Sequence, residues 1–246
     1  MRLACPYIAE NARAGHFVNI RINKNTNIVW RRPFSVHNTA AGAGTFDILF
    51  HVVGKGTRLL KKKQPGETVE ILGPLGNTFS FDEQTKEAIL VAGGLGIAPF
   101  LQLLRQLADS SIKKTLFYGV DTASRFCCLD QLQQAGAEIH LSTEDGSEGA
   151  QGLVTNLLEE YLQTLPETES RCLYVCGPTP MLASVQKLAD RFNIKAQVSV
   201  ETVMACGFGA CMGCAVPMRH PTETGKFYLA CKDGPVFSLN EIKIDD

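Results

Sequence analysis

Nine cysteines occur among the 246 residues, and four of them, Cys206, Cys211, Cys214 and Cys231, gather toward the C-terminus. Their pattern is Cys-x4-Cys-x2-Cys with a distant fourth, the spacing with which plant-type [2Fe–2S] clusters are held by thiolates. A cluster needs its thiolates on a loop that wraps it closely and turns backbone N–H groups toward its sulfides. Gly207, Gly209 and Gly213 allow that approach and any positive φ it requires. Structural zinc is the alternative. Zinc sites usually combine two short Cys-x2-4-Cys knuckles, whereas here one knuckle joins an offset third cysteine and a lone fourth. The other five, Cys5, Cys127, Cys128, Cys172 and Cys176, are scattered among apolar neighbours. Free cysteine there is commonly a small buried hydrophobe, and a reducing compartment disfavours a disulfide framework.

Two segments read as nucleotide seats. Ala88-Ile-Leu-Val-Ala-Gly93-Gly94-Leu-Gly96-Ile-Ala-Pro99 is a strand, a glycine turn and a helix opened by proline. Such a turn brings N–H groups and a helix N-terminus up to a diphosphate, although it is not the Gly-x-Gly-x-x-Gly fingerprint. A tight βα turn packed for structure alone is the other reading. Cys172-Leu-Tyr-Val-Cys176-Gly177-Pro178-Thr179-Pro180-Met181 repeats the form. Ligands of open α/β sheets sit at the carboxyl ends of strands, so both turns would border one cleft. Further upstream, Arg32-Pro33-Phe34-Ser35 ends a strand. Arginine holds phosphate bidentately and Ser35 can hydrogen-bond a ring nitrogen, though an edge strand with a cap reads the same way. Gly54-Lys55-Gly56-Thr57 looks like a glycine turn feeding a short helix, a second phosphate seat.

The elements that must position these residues fall into three parts: 1–80, 81–200 and 201–246. The first reads as β. Phe17–Ile22, Ile28–Val36, Phe46–Val53 and Thr68–Leu72 are short runs rich in Val, Ile and Phe between turn residues, as in a small antiparallel barrel or sandwich. Gly73-Pro74-Leu75-Gly76-Asn77 marks the junction. From 84 to 200 strands (Ala88–Ala92, Thr115–Val120, Glu138–Ser142, Cys172–Cys176, Ala196–Val200) alternate with helices (Pro99–Ala108, Leu129–Ala135, Val154–Leu162, Met181–Arg191). That rhythm predicts a parallel sheet covered on both faces. The last part loses the rhythm to Gly and Cys. The fold class is therefore multi-domain, β followed by α/β followed by a cysteine module. With 45% hydrophobic and 20% charged residues and a net charge of −1, the chain can bury large cores and carries no field favouring nucleic acid or an anionic membrane. Lys61-Lys62-Lys63 reads as a solvated run. No apolar stretch approaches the roughly 20 residues of a membrane span, and Met1–Pro6 lacks a signal-peptide core; the cytoplasm is the expected compartment.

Taken in order, Arg-Pro-Phe-Ser, Gly-x-Gly-Thr, Gly-Pro-Leu-Gly, Gly-Gly-x-Gly-x-x-Pro and Cys-Gly-Pro-x-x-Met resemble the ferredoxin–NADP reductase-like superfamily. Met-Ala-Cys-Gly-x-Gly-Ala-Cys-x-x-Cys with Cys-Lys-Asp-Gly-Pro-Val-Phe narrows the resemblance to electron-transfer subunits of class 1B dihydroorotate dehydrogenases, over nearly the whole chain. The resemblance implies an N-terminal FAD-binding barrel, with Arg32, Pro33, Phe34 and Ser35 on the isoalloxazine and phosphates. Leu49, Phe50 and His51 would lie along the flavin, and Gly56 and Thr57 at the diphosphate. Gly93, Gly94, Gly96, Cys176 and Gly177 would frame NAD as a diffusible co-substrate, and the four C-terminal cysteines would ligate the cluster. It further implies an FMN-containing catalytic subunit that oxidises dihydroorotate to orotate for pyrimidine synthesis, in a heterotetramer of two of each. Electrons would pass through [2Fe–2S] to FAD and then to NAD⁺, and no general base is nominated on this chain. A subunit of a sulfide dehydrogenase, transhydrogenase or hydrogenase complex, or a zinc-stabilised binding module without redox activity, are the competing readings. Two departures stand out. The family generally has a further strand ahead of the segment at Met1, and Met218–Lys226 is a longer connection, expected to form a surface hairpin. Asp121, after the strand at 115–120, points to NAD(H) over NADP(H). Phe208 and Met212 would either face a partner or pack over the cluster.

Overall fold

The computed structural model describes residues 1–22, 30–82, 84–166, 170–223 and 225–244. Its first part is an antiparallel sheet of β1 (Arg2–Ala4), β2 (Phe17–Arg21), β3 (Arg32–Ala40), β4 (Thr45–Ile48) and β5 (Glu70–Leu75), ordered β1-β4-β3-β2-β5. Ile20, Phe34, Val36, Phe46 and Ile48 turn to one face, and helices α1 (Pro6–Asn11) and α2 (Lys55–Lys61) add Ile8 and Leu60 to the same core. A core of Val, Ile and Phe on pleated strands is what β-branched and aromatic residues favour. Four differences from the sequence reading matter. Helix α1, six residues opened by Pro6, interrupts a region expected to be all β. The strand expected at 28–36 falls partly on residues outside those described, and β3 runs on to Ala40. Strand β4 stops at Ile48, so 49–53 are not in a ladder. Strand β5 continues through the Gly73-Pro74 pair.

The second part alternates as its pattern predicts. Strands β6 (Glu87–Gly93), β7 (Lys113–Val120), β8 (Glu138–Thr143), β9 (Ala150–Gln151), β10 (Arg171–Cys176) and β11 (Lys195–Ser199) are parallel neighbours in the order β11-β10-β6-β7-β8-β9. Every residue of β6 and β10 is buried because helices cover both faces. Successive side chains of a strand point to opposite faces. Ile89 and Val91 therefore pack under α5 (Val154–Thr164) and α6 (Thr179–Phe192), while Ala88 and Leu90 pack under α3 (Phe100–Gln106) and α4 (Leu129–Gln134). The chain first builds outward from β6 through β7 and β8, then crosses to lay β10 on the other side. The carboxyl ends of β6 and β10 thus form the topological switch point, where open α/β sheets bind ligands. Helix α3 begins at Phe100, with a 3₁₀ turn over Gly94–Ile97 and Pro99 at the cap rather than inside the helix.

The third part does not stand alone. Hairpin strands β12 (Ala215–Pro217) and β13 (Phe227–Leu229) pair, and Met218 N donates to Lys226 O at 3.0 Å, so the long connection is the expected surface hairpin. Strand β14 (Val236–Ser238), which the sequence pattern did not indicate, joins the α/β sheet antiparallel to β11. Asn77 ties the end of the first part to it, donating to Val236 O at 2.7 Å and accepting from Val236 N at 2.9 Å. Among the described residues no helix is long and apolar enough to cross a membrane.

Candidate functional site

A cleft of about 410 Å³ opens between the N-terminal sheet and the carboxyl edge of the α/β sheet. Arg32–Ser35 of β3, the extended Leu49–His51 and Thr57 form one wall; Leu95, Ala98, Cys176 and Ser199–Thr202 face them. The Phe34 and Phe50 rings meet at 5.6 Å between centroids, tilted by 58°, and give that wall an apolar surface. Arg32 Nη1 donates to Trp30 O at 2.9 Å and Arg31 O at 3.1 Å, which fixes the guanidinium at the cleft with other donors to spare. Gly56 is buried beside it: a Cβ there would stand 3.0 Å from Ile22 Cδ1 and 3.7 Å from Arg32 Nε. Thr57 Oγ1 closes the turn before α2, accepting from Val53 N and Gly54 N at 3.1 Å. Thr202 Oγ1, in the facing wall, is buried without a hydrogen-bond partner. An unmade bond of this kind costs about 1–3 kcal/mol, so a polar ring edge in the cleft fits it. Apolar aromatic wall, anion donor and orphaned hydroxyl together suit a flavin.

A second cleft of about 500 Å³ shares His51 and Leu95 with the first. Gly93 and Gly94 lie in its floor, Met181 and Pro178 at one side, and Asp121, Arg125 and Glu144 at the other. The glycines divide by role. Gly94 has φ +53° and open space where a Cβ would be, so its backbone faces the cleft. A Cβ on Gly96 would lie 2.0 Å from Cys176 O, and one on Gly177 2.5 Å from Met181 Cε. Those two let the turns after β6 and β10 pack on each other, and neither lines this cleft. Cys176 is buried, lines the flavin cleft, and has its thiol pushed well up by burial, so it is uncharged. Asp121 Oδ1 lies 3.7 Å from Arg125 Nε.

The four C-terminal cysteines form two pairs. Cys214 and Cys231 are buried with their sulfurs 3.2 Å apart; Gly209 N donates to Cys231 Sγ at 3.0 Å and Cys231 N to Cys214 Sγ at 3.4 Å. Burial raises the Cys206 thiol, but the N–H groups of Phe208, Cys211 and Ala210 and the Cys211 thiol outweigh it and bring Cys206 down to about 6. Gly207 and Gly209, at φ +82° and +89°, turn the loop so that these N–H groups face sulfur. The N–H groups directed at Cys206, Cys214 and Cys231 are the donors that a thiolate-held cluster would draw on. Asn19 of β2 donates to Cys206 O at 3.2 Å, fitting where Gly207 has no side chain, and Met204 reaches the flavin cleft. Phe208 and Met212 are exposed, at 57% and 65%, so neither is packed over the cysteines.

The sequence assigns no individual role to Asn19, Met204, Thr202, Leu95, Met181 or Glu144, although Leu95, Met181 and Met204 stand within the motifs quoted above. Two signals were available: Asn19 is a polar residue inside an apolar strand, and 199–202 follow a parallel strand, where ligands sit.

The oxidoreductase FAD-binding domain family matches residues 2–80, the oxidoreductase NAD-binding domain family 90–187, and the iron–sulfur cluster binding domain of dihydroorotate dehydrogenase B 201–243. The chain is 34% identical over 237 residues to the dihydroorotate dehydrogenase B (NAD⁺) electron transfer subunit of Desulforamulus reducens, covering 96% of this chain and 89% of that one. It is 36% identical to the subunit of the same name from Geobacillus kaustophilus, covering 96% and 88%. Among solved structures, an NADH-dependent reduced ferredoxin–NADP oxidoreductase studied for flavin-based electron bifurcation superposes with a TM-score of 0.86 at 29% identity, covering 99% of this chain and 84% of that one. The cytochrome b5 reductase domain of Ulva prolifera nitrate reductase, at TM-score 0.63 and 19% identity over 75% of this chain and 82% of that one, shares the fold. An FAD-binding barrel-type sheet, an NAD-binding α/β domain and an iron–sulfur module follow one another here as in those subunits, and the chain belongs to the family of dihydroorotate dehydrogenase B electron-transfer subunits.

Proposed function

We propose that the chain carries electrons from dihydroorotate oxidation, on an FMN-containing catalytic subunit, to NAD⁺ bound in its own nucleotide cleft. The two subunits assemble two of each in the cytoplasm. The observation that carries this reading is a row of three adjoining sites. Met204, two residues before Cys206, stands in the flavin cleft, and His51 and Leu95 belong to both the flavin and nucleotide clefts. When bound, FAD and the [2Fe–2S] cluster supply the exchange between single-electron and hydride transfer. The chain's own residues position them. Arg32 neutralises phosphate, Pro33, Phe34, Leu49 and Phe50 bound the ring apolarly, and Ser35 and Thr202 offer hydroxyls to its polar edge. Gly56 makes room for Arg32, and Thr57 shapes the turn at the diphosphate. His51 separates flavin from nucleotide, whose diphosphate meets Gly93 and Gly94. Gly96, Cys176 and Gly177 hold the two turns together beneath it. Cys206, Cys211, Cys214 and Cys231 supply the thiolates. Phe208, Met212 and Val203, the last 87% exposed, leave an apolar surface at the cysteine loop for the catalytic subunit.

The purified chain should hold one FAD with about two irons and two acid-labile sulfides, and should pass electrons from NADH to dyes. It should oxidise no dihydroorotate until the catalytic subunit is added. Zinc in place of iron would overturn the reading.

A further inference from the structure

Cys127 and Cys128 are adjacent, partly buried, and outside the row of sites just described. They stand between β7 and α4, facing β3 of the flavin sheet. Cys128, which caps α4, has φ +61°, an uncommon conformation for a residue with a side chain. Its thiol lies 3.6 Å from His37 Nε2. His37 is the extra residue of a bulge in β3, since Val36 pairs with Ile48 and Asn38 with Asp47. Bulges re-aim side chains in this way. Nδ1 of His37 is 2.7 Å from Ala98 O. A carbonyl only accepts, so Nδ1 carries the proton, and Nε2 of the neutral ring is an acceptor for the Cys128 thiol. Burial lowers the His37 pKa and keeps the ring neutral. Cys127 Sγ lies 3.4 Å from the hydroxyl of Tyr118. The Cys128 thiol, whose one proton can turn to Cys127 or to His37, and the Tyr118 hydroxyl outweigh burial and bring Cys127 down to about 6, while Cys128 is pushed up. Cys127 is thus the sulfur with a hydroxyl beside it, and Cys128 the sulfur with a neutral imidazole acceptor beside it. This is the arrangement of an attacking and a resolving cysteine.

We propose that Cys127 and Cys128 are a hydroperoxide-reactive dithiol that closes reversibly to a disulfide, with His37 accepting the proton in the closing step. The Cys127 thiolate attacks one oxygen of the hydroperoxide. The O–O bond breaks, leaving Cys127 as a sulfenic acid and releasing an alkoxide that takes a solvent proton to become the alcohol. Cys128 then gives its proton to His37 Nε2 and attacks the Cys127 sulfur. The S–S bond forms, the S–O bond breaks, and the departing hydroxide recovers the proton from His37 as water. The two cysteines lose two electrons and the hydroperoxide is reduced to alcohol and water. Adjacent Cα atoms are about 3.8 Å apart across a trans peptide, less than the roughly 4.4–6.8 Å of ordinary disulfides. The closed form is therefore strained and easily reduced, which suits a reversible modification. Closing also removes the Cys128 thiol as a partner of His37, one of the polar ties between β3 and the nucleotide domain. The others include His37 Nδ1 to Ala98 O at 2.7 Å, Thr39 N to Gln102 Oε1 at 3.0 Å, and Arg105 to Asn38.

The test uses the chain with its cofactors bound, treated with a small excess of cumene hydroperoxide and then iodoacetamide. The tryptic peptide that begins at Phe126 should be recovered two hydrogens lighter and unalkylated, and should take two alkyl groups after dithiothreitol. In Cys128→Ser it should stop at a sulfenic acid trapped by dimedone, and in Cys127→Ser oxidation should be at least about tenfold slower. In His37→Gln, with flavin absorbance retained, the sulfenic acid should persist about tenfold longer. Recovery of the peptide with both thiols alkylated, or equal reactivity in Cys127→Ser, would overturn the proposal.

Discussion

At the scale of single residues, the glycines separate binding from folding. Gly94 has open space around its missing side chain and a positive φ, whereas a Cβ on Gly96 would overlap the Cys176 carbonyl at 2.0 Å. Gly94→Ala should fold with a loss of about 1 kcal/mol for the left-handed backbone and raise the KM for NADH. Gly96→Ala should fail to fold or lose the packing of both turns. Thermal melting beside NADH-to-dye kinetics separates the two, and comparable melting temperatures for the variants would refute the division. Asp121 and Glu144 set two carboxylates against the one guanidinium of Arg125 in the nucleotide cleft. A 2′-phosphate would be repelled there and a ribose hydroxyl accepted. NADH should be preferred over NADPH in kcat/KM, and Asp121→Asn should narrow the preference by about tenfold, about 1.4 kcal/mol. A tenfold preference for NADPH in the unchanged chain would contradict this. The four-cysteine pattern stands out because its chemistry is carried by residue type and spacing, whereas the Arg-Pro-Phe-Ser tetrad gains a flavin role only from the resemblance. Thr202, Met204 and Asn19 were not legible, since only the tertiary fold brings the first two to the cleft and the third to the cysteine loop.

At the scale of elements, the long apolar strands β6, β7 and β10 and the amphipathic α6 could be read from period alone. Strands β1 and β14 and helix α1 could not, because three to six residues hold too little of any period. Strand β4 was read too long for a physical reason: Leu49, Phe50 and His51 are apolar or aromatic in order to line a cleft, not to extend a ladder. The parallel sheet is pinned at its amino edge by Glu87, which is buried. Thr115 Oγ1 and Tyr161 OH each donate to Glu87 Oε1 at 2.6 Å, Lys113 Nζ stands at 3.3 Å, and Arg171 Nε donates to Oε2 at 3.3 Å. Burial raises this carboxyl, but the Thr115 and Tyr161 hydrogen bonds and Lys113 outweigh it, so its pKa falls below the ordinary 4.5. A depressed carboxylate contributes stability that is present above its unfolded pKa and lost as pH drops through the lower folded value. Urea unfolding followed by circular dichroism should therefore show stability falling below about pH 4.5. Glu87→Gln should cost about 3–5 kcal/mol at pH 7, as expected when one partner of a buried pair is removed, and should flatten that acid-side slope. An unchanged slope would contradict the assignment.

At the scale of the molecule, the three parts interlock rather than follow one another as beads. Strand β14, from the cysteine-bearing segment, completes the nucleotide sheet; Asn77 at the end of the flavin part is bonded to it; and Asn19 of the flavin sheet holds the cysteine loop. The order of folding elements along the chain was legible, and this cross-bracing was not: the Asn19 and Asn77 bonds join residues more than 150 positions apart, and β14 is too short to show a period. The bracing keeps the cysteine loop, the flavin cleft and the nucleotide cleft in one row, with Cys211 at the exposed end. If electrons travel that row, the cysteine loop is an obligatory entrance from the partner, while NADH reaches the flavin without it. The direct test is Cys211→Ser, assayed with the catalytic subunit, dihydroorotate and NAD⁺, alongside NADH-to-dye transfer by the chain alone. The account predicts that orotate-coupled NADH formation collapses by at least about a hundredfold, while FAD content is retained and dye reduction stays within about twofold. Undiminished coupled NADH formation in the variant, with its iron lost, would contradict it.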